Sequence, residues 1–354
     1  MEQPVEAAIT PLAPSISSRN WSEPLAFVVM VTVLAVAPLY IYPMFLMQAL
    51  CFALFACAFN LLIGYGGLLS FGHALYFGWA SYLAAHSAKV WGFPPELAIL
   101  TGTLTGAVLG VVAGSLAIRR QGIYFAMITL ALAQMMFFFA LQAKFTGGED
   151  GIQAVPRGRL FGMVDLADQG NMYITVVVIF LAGFLLIHRI IHSPFGEVLK
   201  AIRENEPRAI SLGYKTDRYK LVAFVLSATL AGVAGGTKAI VFQIASLTDV
   251  HWTMSGEVVL MTLLGGLGTV FGPLIGTALL TIVQTALVDH PGIELTILGT
   301  FLLIVVVFVP GGLVGLITRT RNRVTAWAAE GEPAGEETTG ADETPAPVPR
   351  GDPR

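Results

Sequence analysis

The chain consists of long apolar segments separated by short polar or glycine-rich stretches. A helix of about 20 apolar residues crosses the roughly 30 Å hydrocarbon core of a bilayer. By that measure the sequence predicts ten membrane-spanning helices, at residues 25–42, 44–63, 73–89, 97–117, 123–143, 172–191, 221–243, 256–270, 274–288 and 293–317. We therefore expect an all-α fold, a polytopic transmembrane helix bundle in which some helices are broken.

The clearest break lies between the second and third predicted spans. Residues 60–85 read NLLIGYGGLLSFGHALYFGWASYLAA, with four glycines, a serine and a histidine between two apolar runs. Irregular backbone at membrane depth is tolerated only where it is buried in protein or lines a cavity. Two interpretations of residues 64–73 are open, a tight turn between two spans and a re-entrant break that lines a translocation route.

Small residues also recur every fourth position, which lets neighbouring helices approach closely. Three such stripes are present: Gly102, Gly106, Gly110 and Gly114; Ala228, Gly232 and Gly236; and Gly268, Gly272 and Gly276. The stripes indicate tight packing, either within the chain or across a subunit interface.

Composition settles the class of protein. Hydrophobic residues make up 55% of the chain and charged residues only 12%, with a mean hydropathy of +0.74. A soluble domain carries roughly 25% charged residues, so a soluble enzyme is excluded and the lipid bilayer is the expected surrounding. We find no phosphate-binding loop of the G-x-x-x-x-G-K-[ST] type and no recognisable metal or nucleophile motif. We expect no catalytic residues, no metal, no cofactor and no nucleic-acid partner, and we read His188 and His192, four residues apart, as an interfacial pair rather than a metal site.

The basic residues fix the expected orientation. Lysine and arginine concentrate at 119–120, at 192–220 and at 319–323, whereas the short loops 90–96 and 289–292 carry none. The positive-inside rule places the basic loops in the cytoplasm, and ten spans with both termini inside satisfy every loop. The predicted organisation is a cytoplasmic segment 1–24, a transmembrane domain 25–318 with a cytoplasmic loop at 192–220, and a disordered cytoplasmic tail 326–354.

The 192–220 loop carries two helix signals. Ser193 followed by Pro194 is a typical helix start, and an apolar stripe follows it at helical spacing: Phe195, Val198, Leu199 and Ile202. A second short helix begins at Asn205 or Glu206 and ends at Gly213. Such amphipathic helices can sit in a groove on a partner protein, and the alternative is a solvated loop.

Lys238 is an unusual residue because it lies inside the seventh predicted span, about 8 Å from its outer end. Three interpretations are open: its side chain reaches the membrane interface, it pairs with an acidic group of a partner subunit, or it meets the carboxylate of a transported solute.

Five ordered blocks of sequence resemble the branched-chain amino acid ABC-transporter permeases of the LivM type. They are residues 60–85, GIYFAMITLALAQM at 122–135, TGGEDGI at 146–152, residues 201–236, and LLGGLGTVFGPLIG at 263–276. The resemblance covers residues 40 to 320. It implies an ABC importer permease in the bacterial inner membrane, forming half of a heterodimeric pore with a homologous LivH-type permease. Two ABC ATPase subunits would bind ATP and magnesium, and an extracytoplasmic solute-binding protein would deliver the solute.

Candidate site residues follow from the resemblance for the coupling loop, and from polar side chains near the breaks and the charge inside the seventh span for the translocation path. The ATPase-coupling candidates are Glu204, Asn205, Glu206, Arg208, Ala209 and Gly213, although EPRAISLG carries one residue more than the family's coupling motif. The translocation-path candidates, each of which also fits a packing role, are Tyr65, Ser70, His73, Gln134, Thr146 and Lys238. The alternative function is a stand-alone secondary transporter or channel. The solute stays open among branched-chain amino acids, urea, short amides and organic acids.

Overall fold

The computed structural model describes residues 22–287, and beyond them only residues 299–300, 312–313 and 315. The predicted tail 326–354 and nearly all of the tenth predicted span and of the N-terminal segment 1–24 lie outside the described residues.

The described part of the chain is a bundle of helices that cover every predicted span up to residue 288. In chain order they are α1 (Ser22–Val36), α2 (Pro43–Asn60), α3 (His73–Lys89), α4 (Pro95–Ala117), α5 (Ile123–Gln142), α6 (Gln169–Ile191), α7 (Pro194–Glu204), α8 (Glu206–Ser211), α9 (Thr216–Phe242), α10 (Trp252–Gly265) and α11 (Gly272–Leu287). Short 3-10 turns follow α1, α5 and the end of α9. Leu61–Tyr65 continues α2 as a π-helical turn.

Within the part of the chain that the structure describes, five helices are long and apolar enough to cross a membrane: Pro43–Tyr65, Pro95–Ala117, Ile123–Gln142, Gln169–Ile191 and Thr216–Phe242. Two further apolar helices, Pro24–Leu39 and Gly272–Leu287, are shorter. The predicted count of ten spans is therefore not confirmed, while the multi-pass helical membrane fold is.

Proline sets the start of several helices. Pro43, Pro95 and Pro194 each occupy the first turn of a helix, where a missing backbone N–H costs nothing because it would have no partner within the helix.

The all-α bundle also contains four two-residue strands among the described residues. β1 (Ile152–Gln153) pairs antiparallel with β4 (Ile244–Ala245), and β2 (Arg159–Leu160) pairs antiparallel with β3 (Val164–Asp165). These strands supply hydrogen-bond partners for backbone that is not helical. They lie at the end of the bundle opposite to α7 and α8. We call the strand end the strand side and the end with α7 and α8 the basic side.

The centre of the bundle is formed by α2 and α9. Of the 18 most apolar consecutive residues, 72% are buried in α2 with its π-helical turn and 78% are buried in α9. The corresponding fraction is only 28–33% in α4, α5 and α6. The outer helices thus keep broad apolar faces uncovered by this chain, as a lipid environment requires.

The glycine stripes pack within this chain. A Cβ added to Gly106 of α4 would lie 2.6 Å from the Ala228 carbonyl oxygen of α9, and one added to Gly102 would lie 3.2 Å from the Gly236 Cα. The third stripe lies where α10 and α11 meet, since Gly276 faces the Met261 carbonyl of α10. Of the two interpretations of the stripes, intrachain packing is the one observed.

Candidate functional site

The glycine break between α2 and α3 is a turn at the basic side, mostly buried but with Gly67 and Leu69 exposed. After the π-helical turn Leu61–Tyr65 the chain passes Gly67, whose φ of +68° favours glycine, and enters α3 at His73. Two of its backbone donors bind side chains of neighbouring helices: Phe71 N donates to Thr129 Oγ1 of α5 at 3.2 Å, and Ala74 N donates to Ser255 Oγ of α10 at 2.9 Å. Such pairing within the protein is what irregular backbone in a membrane requires.

A second irregular segment, residues 266–271 between α10 and α11, lies directly against the end of α2. Asn60 Nδ2 donates to the Thr269 carbonyl at 2.9 Å, and Asn60 Oδ1 accepts from Gly268 N at 3.0 Å. The side chain of Asn60 is buried. A Cβ added to Gly64 would lie only 2.7 Å from Gly268 N. The two breaks of the bundle are therefore joined in one place.

The helix α7 reaches the same place from the 192–220 loop. Arg203 Nη1 donates a hydrogen bond to the Gly64 carbonyl oxygen. Leu199 packs on Gly66, and the Lys200 ammonium lies 5.9 Å from the centre of the Tyr65 ring. The loop is thus in contact with the break rather than free in solvent.

The helix signals of the loop are confirmed. Ser193 Oγ accepts from Gly196 N at the start of α7, and Asn205 Oδ1 accepts from Arg208 N at the start of α8. Both are N-cap bonds that satisfy helix donors without a partner in the first turn. Gly213 follows α8 with a φ of +88°, the left-handed conformation that commonly ends a helix.

The expectation that the apolar stripe of α7 sits in a groove on a partner is wrong for two of its residues. Leu199 and Ile202 are buried against this chain's own bundle. Helical periodicity identifies an apolar face but not the surface that covers it. The apolar surface that the loop exposes lies farther along, at Ile210, Leu212 and Tyr214.

The six coupling candidates divide by exposure. Glu204, Asn205, Arg208 and Gly213 are exposed. Ala209 is buried, and Glu206 accepts a hydrogen bond from the buried Lys220 ammonium at 2.5 Å. On the outer face of α7, the hydrogen bond from Lys200 lowers the pKa of Glu197. The residues that could meet another protein are therefore those around α8.

The path candidates nearest the break occupy packed positions. His73 is fully buried, and its Nε2 lies 2.9 Å from Ser227 Oγ of α9, with Phe59 and Tyr76 against its ring. Ser70 is also fully buried and accepts from Gly72 N at 3.2 Å. These contacts give both side chains a structural role, and their contact with a solute stays a prediction.

The remaining path candidates are scattered. Tyr65 is buried beneath Lys200, and Gln134 is half-buried on α5. Thr146 is buried beyond the end of α5, where its hydroxyl donates to the carbonyls of Ala140 and Ala143 at 2.6 Å. The Thr146 hydroxyl thus binds carbonyls at the end of α5. Thr146 and Tyr65 do not form one site, because they lie at opposite ends of the bundle.

Lys238 forms an ion pair within this chain. Its ammonium lies 2.6 Å from Asp249 Oδ2, with side-chain exposures of 10% and 3% for the two residues. The same carboxylate accepts from Ser246 N at 3.3 Å. The observed partner is therefore an acid eleven residues along the chain, which none of the three sequence interpretations names.

Sequence reasoning missed Asn60 and Asp249. The signal for Asn60 was an amide inside an otherwise apolar span, which is costly unless it is hydrogen-bonded. Asp249 offered a weaker signal, a single acid in a short connection after a span that holds a lysine. Within residues 22–287 no group of three histidine, cysteine or acidic side chains could hold a metal ion.

Comparison with known proteins adds a family assignment. Residues 41–318 match the family described as the permease component of branched-chain amino acid transport systems. The chain is similar to the high-affinity branched-chain amino acid transport system permease protein LivM of Escherichia coli (strain K12), at 26% identity over 298 residues, 78% of this chain and 70% of the relative. It is also similar to the probable branched-chain amino acid transport permease protein LivH of Methanocaldococcus jannaschii, at 25% identity over 55% of this chain and 64% of the relative.

A third relative is the autoinducer 2 import system permease protein LsrC of Salmonella typhi, 29% identical over 52% of this chain and 54% of the relative. No solved structure matches the chain.

Proposed function

Because the chain belongs to the family of branched-chain amino acid permease components, we propose that it is the membrane subunit of an ATP-driven importer. It forms half of a heterodimeric pore with a LivH-type permease. Two ABC ATPase subunits bind ATP and magnesium and drive the cycle, and an extracytoplasmic binding protein delivers the solute. The observation that carries the proposal is the family match over residues 41–318.

The contacts of the 192–220 loop support the ATPase part of the proposal. Its two capped helices are fixed to the bundle by Leu199, Ile202 and the Glu206–Lys220 pair. The exposed apolar residues Ile210 and Leu212 follow on the outer surface. A protein partner can cover such a structured loop, because burial of its exposed apolar side chains against the partner is favourable in free energy.

We propose that the solute is a branched-chain amino acid or a related small polar molecule. The names of two relatives indicate branched-chain amino acids and that of a third indicates autoinducer 2. Urea, short amides and organic acids stay open. Selectivity in this arrangement belongs mainly to the binding protein.

The proposed topology has ten spans with both termini and the basic side in the cytoplasm, in the bacterial inner membrane. Single cysteines placed in loops 118–122 and 159–165 test it in intact cells, in a background with Cys51 and Cys57 replaced. Under this topology a membrane-impermeant maleimide labels the second loop from outside and the first loop only after lysis. The reverse pattern would overturn it.

A pull-down of the tagged chain from its native host, with mass spectrometry of what comes along, tests the assembly. A second permease and ATPase subunits at comparable abundance are expected. Leu212→Asp places a charge on the loop, and Met163→Asp is the matched control because Met163 is 88% exposed on the strand side. Loss of the ATPases with the first substitution alone is expected. Equal recovery of ATPases with wild type and Leu212→Asp would contradict the docking surface.

The second candidate function is a stand-alone secondary transporter. The buried Lys238–Asp249 pair is the observation that favours it, since ion-coupled carriers use paired charges within the membrane. Recovery of the chain alone from several detergents, together with solute uptake that a proton or sodium gradient drives, would establish this alternative.

A further inference from the structure

Three parts of the chain that are far apart in sequence meet at the basic-side end of α2. They are the last turn of α7 with Arg203, the π-helical turn with Gly64, and the 266–271 segment with Gly268. A Cβ added to Gly64 would lie 2.9 Å from the Gly268 Cα, and one added to Gly67 would lie 3.0 Å from Arg203 Cγ. Close approach of all three segments therefore depends on glycine at the points of contact.

The bond from Arg203 is of a kind that fixes a helix end. The last carbonyls of a helix have no donor within the helix, and Gly64 lies in the last turn before the chain leaves it. A guanidinium there adds a charge-assisted hydrogen bond and complements the negative end of the helix dipole. Arg203 belongs to the 192–220 loop and is exposed overall, and only the guanidinium end of its side chain binds Gly64.

From the end of α2 the contact continues to the second break. Asn60 binds both the amide of Gly268 and the carbonyl of Thr269, so the 266–271 segment is held by two hydrogen bonds to one side chain. Gly268 has a φ of +74° and faces Arg203 Nη1, which would lie 3.3 Å from an added Cβ. The connection between α10 and α11 is therefore bound to the same end of α2 that Arg203 contacts.

On the other side, α7 and α8 are each joined to the first turns of α9. Glu206 binds Lys220 of α9 at 2.5 Å, and the Phe195 and Tyr219 rings stack with centres 5.7 Å apart. The helices α7 and α8 are therefore connected to the basic-side end of α9 as well as to the end of α2.

We propose that Arg203 is a positioning residue that transmits movement of the loop to both breaks of the bundle, by pulling on the Gly64 carbonyl. The proposal rests on the proposed function, because it assigns the route by which ATPase movement reaches the transport path. Removing the bond uncouples the two activities: the ATPases continue to hydrolyse ATP while fewer solute molecules cross per ATP.

The test uses the complete complex, reconstituted in proteoliposomes with its binding protein and labelled leucine as the probe. Arg203→Met removes the donor and keeps the aliphatic stem over Gly67, whereas Arg203→Lys keeps a charged donor. Arg119→Met is the matched control, an exposed arginine at the end of α4. We expect Arg203→Met to transport about tenfold less leucine per ATP, the size of effect that loss of a charged hydrogen bond gives. ATP hydrolysis stays near the wild-type rate, and Arg203→Lys recovers a large part of the ratio.

A wild-type ratio in Arg203→Met, or an equal fall of transport and ATP hydrolysis, would overturn the proposal. Hydrogen exchange of the wild-type complex provides a second measurement that needs no variant. A non-hydrolysable ATP analogue should change protection in peptides covering 61–70 and 265–272 together, and a change confined to 192–220 would refute the inference. If the wild-type complex shows no ATP-driven uptake of leucine or of any other proposed solute, the proposed function itself fails, which is a different result from a changed ratio.

Discussion

The buried ion pair between Lys238 and Asp249 allows a quantitative prediction. Replacing Asp249 by asparagine removes the negative charge but keeps the size of the side chain. The Lys238 ammonium is then left in a position where only 10% of its side chain is exposed. A buried charge without its partner is strongly unfavourable.

The magnitude follows from the geometry. At 2.6 Å and an effective dielectric constant of about 20, two unit charges attract by roughly 6 kcal/mol. Removing the two ions from water costs several kcal/mol for each, so the pair as a whole contributes little net stability. Removing one member is different, because the desolvation cost of the other remains, and we expect Asp249→Asn to lower the free energy of unfolding by about 3–5 kcal/mol.

The matched variants are Lys238→Met and the double variant Lys238→Met/Asp249→Asn. Lys238→Met leaves Asp249 with its hydrogen bond from Ser246 N, so this variant should lose less than Asp249→Asn. The double variant removes both charges and should lie within about 1 kcal/mol of wild type. The free energy of unfolding is measured by titrating the purified chain in mixed micelles with a denaturing detergent and following tryptophan fluorescence.

The decisive quantity is the coupling energy of the double-mutant cycle, which we expect to be about 3 kcal/mol or more. Additive losses, with the double variant the least stable of all, would refute the reasoning. They would mean that the two side chains contribute through separate contacts rather than as a pair.

Three further predictions follow from the packing. Gly106→Val should lower the free energy of unfolding by about 3 kcal/mol, because its Cβ would meet the Ala228 carbonyl, and less folded chain should be found in the membrane. Gly256→Ala is the control, since the space around Gly256 is open, and it should leave the amount of folded chain nearly unchanged. Asn60→Leu leaves the Gly268 amide and the Thr269 carbonyl unpaired and should destabilise the chain by about 2 kcal/mol or more in the detergent titration. A change below the error of that titration would contradict a stabilising role for these two hydrogen bonds. Asn205→Ala removes the N-cap of α8 at about 1 kcal/mol, which should speed limited proteolysis of the 192–220 loop without changing the unfolding midpoint of the bundle.

The positions of the helices could be predicted from the sequence because apolar runs and prolines are local signals. The predicted third span 73–89 and α3 (His73–Lys89) have the same bounds. The cap at Asn205 was equally predictable, since an N-cap depends on residues only a few positions apart. The glycine stripes predicted close packing but left open which helix would fill each stripe.

What the sequence could not supply was the identity of partners brought together by the fold. Asn60 and Gly268 are separated by more than 200 positions, and their contact depends on how α10 returns to the basic side. The pairing of Lys238 with Asp249 depends on a chain reversal after α9 that no periodicity reports. The burial of Leu199 likewise depends on where the loop folds back, and the same stripe would look identical if a partner covered it.

The π-helical turn at Leu61–Tyr65 has a geometric consequence for the chain that follows it. A π turn contains about one residue more than an α turn, and each residue of an α-helix adds about 100° of rotation and 1.5 Å of length. Rewinding this one turn as α-helix would therefore turn everything between Tyr65 and His73 through more than a quarter of a circle, without melting α2. Such rewinding would rotate and shift the end of α2 as a screw, and it would act directly on the contacts of Asn60, which precedes the turn, and of Arg203, which binds Gly64 within it.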